Sequence, residues 1–325
     1  MMTTTERLTL IVDIGGTNTR VAQAHNGQLD DASIKRYRNA DFEGLDAVLS
    51  TYRTQVDWRD PEGVCVDIAG PIHDGKGTLT NLDWTLEEPL LAQWTGAQHA
   101  ALINDLQAQG HGVADLPAAA LIPVTKGKDG PEHATRLVVN VGTGFNAAVV
   151  YDGPNGRMVP ASESGHANMP IRTEEDLRLC RFVETAHGFP AIEDVLSGRG
   201  LERVYHWVST EAGTPHILHA AEIMDAAKAE PQGLAAQAKA VFARILGTVT
   251  GNLALVHLPF GGIYLVGGVV RAMAEDLPAL GFTEAMRDKG RFSGLVGNFN
   301  VVAIDDDYAA LRGAARHMDA RLRAL

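Results

Sequence analysis

Leu10-Ile11-Val12-Asp13-Ile14-Gly15-Gly16-Thr17-Asn18-Thr19-Arg20-Val21-Ala22 is an apolar run that ends at an acid, crosses two glycines, and resumes as an apolar run. Adjacent glycines let a backbone turn tightly and expose its N–H groups. Successive N–H groups aimed one way form an anion-binding nest. Thr17 and Asn18 add neutral donors, and Asp13 can recruit a hydrated magnesium ion although it would repel a bare phosphate. The stretch reads as a site for a metal-bound polyphosphate. It is not a Walker loop, because no Gly-Lys-Ser/Thr comes after the glycines. Nor is it a dinucleotide fingerprint, which spaces its glycines and opens a helix. The chain beyond the glycines is extended instead: Arg20 to Ala24 reads as a strand, Asn26-Gly27 is a strong two-residue hairpin signal, and 28–38 contains a further strand. The glycine loop therefore joins two strands of a meander. By itself it is equally compatible with an ordinary glycine hairpin that binds nothing.

The totals narrow the choice. A chain of 325 residues has room for about two domains. Hydrophobic residues make up 45%, enough for buried cores, and 28 Lys and Arg against 40 Asp and Glu give a net charge of −12. No basic tract stands out, which argues against nucleic acid or an anionic membrane as a partner. An anionic nucleotide would have to be bound locally, through backbone amides and a metal. The two cysteines, Cys65 and Cys180, are far apart in apolar settings, so neither a zinc site nor a disulfide framework is indicated and a reducing cytoplasm fits. The first residues lack a signal-peptide core. The apolar tract 253–270 is broken by Pro259, Gly261 and Gly262 and reads as helix end, turn and strand, not as a membrane span.

Along the chain, strand-like and helix-like segments alternate, which argues an α/β fold. Gly63 to Ala69 is a buried strand ending at the turn Gly70-Pro71, Glu87 to Thr95 is helical, and Ala101 to Asp105 is an apolar run ending in an amide and an acid. A second cycle then begins. Arg136 to Tyr151 is again strand, glycine turn (Gly142-Thr143-Gly144) and strand, a weak internal duplication of the opening design. Two such loops could hold one polyphosphate from both sides. Thr173 with Asp176 forms a capping-box pattern for a helix stopped by Gly188. Residues 193–201 are a helix–turn–helix junction, and 234–258 is a long amphipathic helix. Ile263 to Val266 is a buried strand running into Gly267-Gly268 and a helix, a third place where a nucleotide could lie. Residues 308–325 close as a helix with Arg312, Arg316, Arg321 and Arg323 on its polar side.

These motifs, in this order, resemble a known family. Asp13-Ile14-Gly15-Gly16-Thr17-Asn18, Thr80-Asn81-x-x-Trp84, Ile103-Asn104-Asp105, Gly142-Thr143-Gly144, Glu163-x-Gly165-His166, Val195-Leu196-Ser197-Gly198-x-Gly200-Leu201, Gly251-Asn252-Leu253, Gly267-Gly268 and Asp288-Lys289-Gly290-Arg291-Phe292 run nearly end to end. The chain resembles the ATP-dependent bacterial glucokinases of Gram-negative type. The resemblance implies the two-domain sugar kinase/actin-like (ribonuclease H-like) α/β fold. A smaller domain, 1–112 plus 308–325, and a larger one, 113–307, would flank a cleft that closes over glucose and ATP and excludes water, a competing phosphoryl acceptor. It implies a cytoplasmic enzyme, a homodimer, that passes the γ-phosphate of ATP to the 6-hydroxyl of glucose.

The resemblance also assigns roles at the matching positions. Asp105 is the expected catalytic base, because an alcohol acceptor needs a group that orients it and takes its proton; an aspartate there could also serve as a helix N-cap. Asn104, Asp105, Glu163, His166 and Glu193 match the family's sugar-hydroxyl ligands, and amides, carboxylates and imidazole suit groups that both donate and accept. Asn81 could support the sugar site or merely hold a turn. Asp13, Ile14, Gly15, Gly16, Thr17, Asn18, Thr143 and Gly144 are the expected phosphate ligands, with Asp13 holding Mg²⁺ through water, while Gly267 and Gly268 pass near the adenosine.

The match departs at Val12 and at Asn146, where glycine is usual; asparagine tolerates a left-handed backbone if the turn requires one. It departs also at Asn168, where aspartate is usual, and at the acidic run Asp305-Asp306-Asp307, which could alter donor affinity. The related repressor/sugar-kinase family usually carries a cysteine-rich zinc motif near its sugar-binding histidine, and this chain has none. Kinases for another hexose or phosphate donor, and a non-catalytic sugar sensor, stay open on the sequence.

Overall fold

The computed structural model describes residues 6–79, 82–154 and 156–325. The motif residues Thr80 and Asn81, the turn residue Asn155 and the first five residues lie outside these. The backbone divides into two units: Met1–Leu116 with Pro154–Ala161 and Asp306–Leu325, and Pro117–Gly153 with Ser162–Asp305. The segment 154–161 departs from the sequence-based division, which put it in the larger domain. Its ties explain this: Arg157 donates to the carbonyl of His111, and Gln107 Nε2 donates to the Val159 carbonyl at 2.7 Å.

In the first unit the strand Leu8–Ile14 is central. It pairs antiparallel with Asn18–His25 across the glycine loop and parallel with Gly63–Ile68, which pairs parallel with His99–Asn104. The sheet order is Gln28–Leu29, Asn18–His25, Leu8–Ile14, Gly63–Ile68, His99–Asn104, with Lys35–Arg38 also joined to Asn18–His25. Period-two alternation gives the central strand two apolar faces. Leu10, Val12 and Ile14 pack with Val48, Leu49, Tyr52 and Leu91 from the helices Leu45–Arg53 and Glu88–Thr95. Ile11, with Cys65 and Ala101, meets Leu311, Ala314, Ala315 and Met318 of the closing helix Ala309–Arg323. The polar side of that helix is neutralised: Arg312 pairs with Asp31 and Asp306, Arg316 with Asp115, Arg321 with Glu88 and Arg323 with Asp319.

The second unit repeats this plan. Arg136–Val141 runs antiparallel to Phe145–Gly153 across the Gly142–Gly144 turn and parallel to Ile263–Val266, which runs parallel to Val301–Ile304. The duplication seen weakly in the sequence is therefore a duplication of sheet topology. The helix Leu234–His257 is the one helix among the described residues long and apolar enough to cross a bilayer, but 61% of its apolar window is buried. Phe242 and Leu246 sit at its core with no exposure, so the apolar content is spent on packing inside this unit. Helix Glu174–His187 opens with the expected capping box of Thr173 and Asp176 and stops at Gly188, whose φ is 74°.

Candidate active site

In open α/β sheets ligands bind beyond the carboxyl ends of the parallel strands. In the first unit those ends are Ile14, Ile68 and Asn104, aligned by register. The loop after Ile14 is a closed hairpin in which Gly15 N donates to the Asn18 carbonyl at 3.0 Å. A Cβ at Gly15 would meet nothing nearer than that carbonyl, at 3.5 Å. The fold itself does not demand glycine there, so the open side of the loop is room for a ligand to reach the backbone. Asn39 braces the loop from behind: its N–H donates to the Thr17 carbonyl at 2.9 Å, its Nδ2 to the Gly15 carbonyl at 2.8 Å, and its Oδ1 accepts from Thr19 Oγ1 at 2.8 Å. Gly16 and Thr17 are exposed and Asn18 half-buried.

At the third strand end the N-cap place goes to Asn104 and not to Asp105. Asn104 is the helix N-cap: its Oδ1 accepts from Leu106 N at 3.0 Å and its own N–H donates to Gln107 Oε1 at 3.1 Å, closing a capping box. Its Nδ2 donates to the Gly70 carbonyl at 3.1 Å. Asp105 is then the first residue of the helix Asp105–Gly112, half-buried, with Oδ1 accepting from Leu106 N at 2.8 Å. A carboxylate at a helix N-terminus is favoured by the exposed N–H groups there.

The second unit brings its glycine candidates together beyond the carboxyl ends of two paired strands, Arg136–Val141 and Ile263–Val266. Gly142 N donates to the Gly144 carbonyl at 2.9 Å, and Gly198 N donates to the Gly142 carbonyl at 2.8 Å. Gly267, φ 104°, lies against the Val141 carbonyl too closely to admit a side chain. Gly268 has nothing within 4 Å of a Cβ position, so it is open in the way Gly15 is. Glu193 Oε2 accepts from Phe145 N at 3.0 Å, and a Cβ on Gly144 would stand 2.5 Å from that oxygen. Glu163 and His166 stand 4.0 Å apart on an adjoining loop with side chains 64% and 67% exposed. The loop is tied to the segment before Glu193 by Met169 N to the Pro190 carbonyl and Ile192 N to the Ala167 carbonyl, both 2.9 Å. Of these three residues, Glu193 is the one bonded to the strand that leaves the second glycine turn.

A family model described as glucokinase matches residues 10–321. The chain belongs to the glucokinase family. It is 30% identical to a glucokinase of Nostoc punctiforme over 95% of this chain and 98% of that one. Among solved structures, the glucokinase of an Antarctic psychrotroph superposes with a TM-score of 0.86 at 28% identity, covering 96% of this chain and 98% of that one. A ROK family glucokinase from Streptomyces griseus in complex with glucose and AMPPNP shares the fold, with a TM-score of 0.64 at 20% identity, covering 96% of this chain and 99% of that one.

Against the family's two-domain sugar kinase fold, three features of the site went unread in the sequence. Arg20 NH1 holds Asp13 Oδ2 at 2.7 Å. The hairpin register sets Asp13 opposite Arg20, so counting residues across the turn would have found this pair. Asn39 carried no local signal. Asp67, inside a run read only as a buried strand, lies beside Asp13 in register. It is fully buried, and no N–H or hydroxyl reaches either of its oxygens. Burial, then the charges of Asp13 and Asp105, push its carboxyl well above the usual range. Two neighbouring carboxylates repel unless one carries a proton, so the pairing favours the protonated form of Asp67. The acidic run 305–307 is also partly accounted for. Asp306 Oδ1 accepts from Tyr308 N at 2.8 Å and its Oδ2 from Arg312 at 3.0 Å, while Asp305 lies 3.6 Å from Arg271.

The raised pKa of Asp67 makes stability depend on pH with a defined sign. Its folded pKa is raised, so its contribution is fully present below the unfolded value of about 4 and is lost as pH climbs above it. An asparagine in its place does not titrate, and the amide can still donate to Asp13. Asp67→Asn is therefore expected to melt higher than the parent at pH 8, with the gain shrinking toward pH 5. Thermal melts at both values test this; a gain independent of pH would show that Asp67 is ionised in the fold.

Proposed function

We propose that this chain transfers the γ-phosphoryl group of ATP to the 6-hydroxyl of glucose, with Asp105 as the base. Membership of the glucokinase family makes the reaction a phosphoryl transfer to glucose. The observation that carries the residue-level reading is the joint made by Glu193. It links groups suited to sugar hydroxyls to a glycine turn suited to phosphate, through its 3.0 Å bond with Phe145 N. Glucose is held by Asn104, Glu163, His166 and Glu193, whose mixed donors and acceptors match hydroxyls. Ile14 to Asn18, Thr143 and Gly144 take the phosphates, and Gly267 and Gly268 lie under the adenosine. Asp105 accepts a hydrogen bond from the 6-hydroxyl, orients its oxygen toward the γ-phosphorus, and takes the proton as the bond to phosphorus forms.

Magnesium fits this donor set in one form. Among the described residues no three of His, Cys, Asp and Glu cluster as a metal cage. Asp13 gives one oxygen to Arg20. A cation held mainly by phosphate and water, touching Asp13 through water, is compatible with both facts. When bound, the ion neutralises charge on the transferring phosphate. The same reading carries with it a cytoplasmic location and a homodimer, and sedimentation tests the dimer directly.

ADP release with ATP·Mg²⁺ against glucose, mannose, fructose and glucosamine is the decisive assay. Turnover is expected with glucose first. Sugar binding without turnover on any of them would replace the kinase by a sensor.

A further inference from the structure

The strand leaving the second glycine turn carries Asn146 where the resemblance leads one to expect glycine. Its backbone is extended, within Phe145–Gly153 and opposite Asn140, and it is not among the residues with positive φ. Tolerance of a left-handed turn is therefore not its role. Its side chain instead reaches the sugar loop. Nδ2 donates to the Ser162 carbonyl. Oδ1 accepts from Ser164 N at 3.0 Å, from Ser164 Oγ at 3.1 Å and from Ala147 N at 2.8 Å. These bonds bracket Glu163. One residue beyond Ser164, Gly165 lies against the Phe145 carbonyl with no room for a Cβ.

Glu163 and His166 are mostly exposed, so their own packing does not hold them. A loop that must be ordered at the moment of binding loses affinity, and a loop already fixed by its backbone does not. We propose that Asn146, with Ser164 as partner, is the positioning residue that holds the Glu163–His166 loop in its sugar-binding conformation. It anchors that loop to the strand leading out of the Gly142–Gly144 turn. The inference rests on the reading of this loop as the glucose site. The clamp needs both halves of an amide, a donor for Ser162 and an acceptor for Ser164. Alanine has neither. Aspartate lacks the donor and sets an anionic oxygen against the Ser162 carbonyl.

The test compares parent, Asn146→Ala, Asn146→Asp and Ser164→Ala by steady-state kinetics and by the thermal shift that glucose induces. Both Asn146 variants are expected to raise the glucose KM about tenfold or more while the ATP KM stays within about twofold, the pattern of lost sugar binding. Ser164→Ala keeps the Ser162 and Ser164 backbone bonds and is expected to raise the glucose KM less; it carries the test if the Asn146 variants do not fold. An unchanged glucose KM in a parent that binds and phosphorylates glucose overturns the clamp and leaves the functional reading standing. Glucose and ATP KM rising together would also overturn it, as general loosening of the unit. A parent that neither binds nor phosphorylates glucose overturns the functional reading, and the clamp with it.

Discussion

Asp105→Asn is expected to lower kcat with glucose by at least about 10²-fold, within the ~10²–10⁴ range of general acid–base groups, with a much smaller change in glucose KM. The substitution is close to isosteric. An asparagine oxygen can still accept from Leu106 N, as Asp105 Oδ1 does at 2.8 Å, and the capping box belongs to Asn104 and Gln107 rather than to Asp105. The helix should therefore start where it does now. What disappears is the ability to take the proton from the acceptor hydroxyl. Rate and KM measured together, with circular dichroism as the check on folding, separate loss of chemistry from loss of structure. A variant turning over within about threefold of the parent would remove Asp105 from the base role.

Gly313→Ala is expected to destabilise the first unit by about 3 kcal/mol, the upper end for overpacking a tight core. The helix that begins at Asp105 crosses the closing helix Ala309–Arg323 backbone to backbone. A Cβ on Gly313 would overlap the carbonyl of Ala108 and come within 2.7 Å of Gly112 N. From the other side, a Cβ on Gly112 would lie 2.9 Å from the Ala309 carbonyl. Neither helix can yield through a side-chain rotation, because the obstructing atoms are main chain. The methyl group must push the helices apart, and Asp105 sits at the N-terminal end of one of them. Denaturant titration measures the loss, and a lowered kcat is expected to accompany it. Stability within about 0.5 kcal/mol of the parent, the range of surface changes, would mean that the crossing is looser than it stands here.

Much of the fold was legible because its signals are local. Asn26 and Gly27 take the positive φ values, 51° and 77°, that their hairpin dipeptide implies. Thr173 and Asp176 cap each other because they are three residues apart on one turn. The long helix 234–257 shows as an apolar periodicity, and both glycine turns stand between strands as read. The candidate site was legible as a set of residues, by resemblance, but not as an arrangement. Glu193 reaches Phe145 N across 48 residues of chain, and no periodicity encodes that. Asp67 looked like one more buried strand position, since its neighbour Asp13 is brought beside it only by parallel pairing of two distant strands. Asn146 looked like a turn residue because it stands two positions after the Gly142-Thr143-Gly144 turn, and it is a strand residue because the ladder with Asn140 has already begun.

The amino-acid sequence alone determined the elements, the two glycine turns and the family resemblance, since these depend on backbone propensity, side-chain period and the order of short motifs along one chain. Tertiary structure alone decided which groups share an environment. It set Arg20 and a buried Asp67 beside Asp13, gave the helix cap to Asn104 and not to Asp105, and tied the loop of Glu163 and Ser164 to the amide of Asn146. These outcomes depend on distance and burial, and both are properties of strands and loops that meet only after the chain has folded.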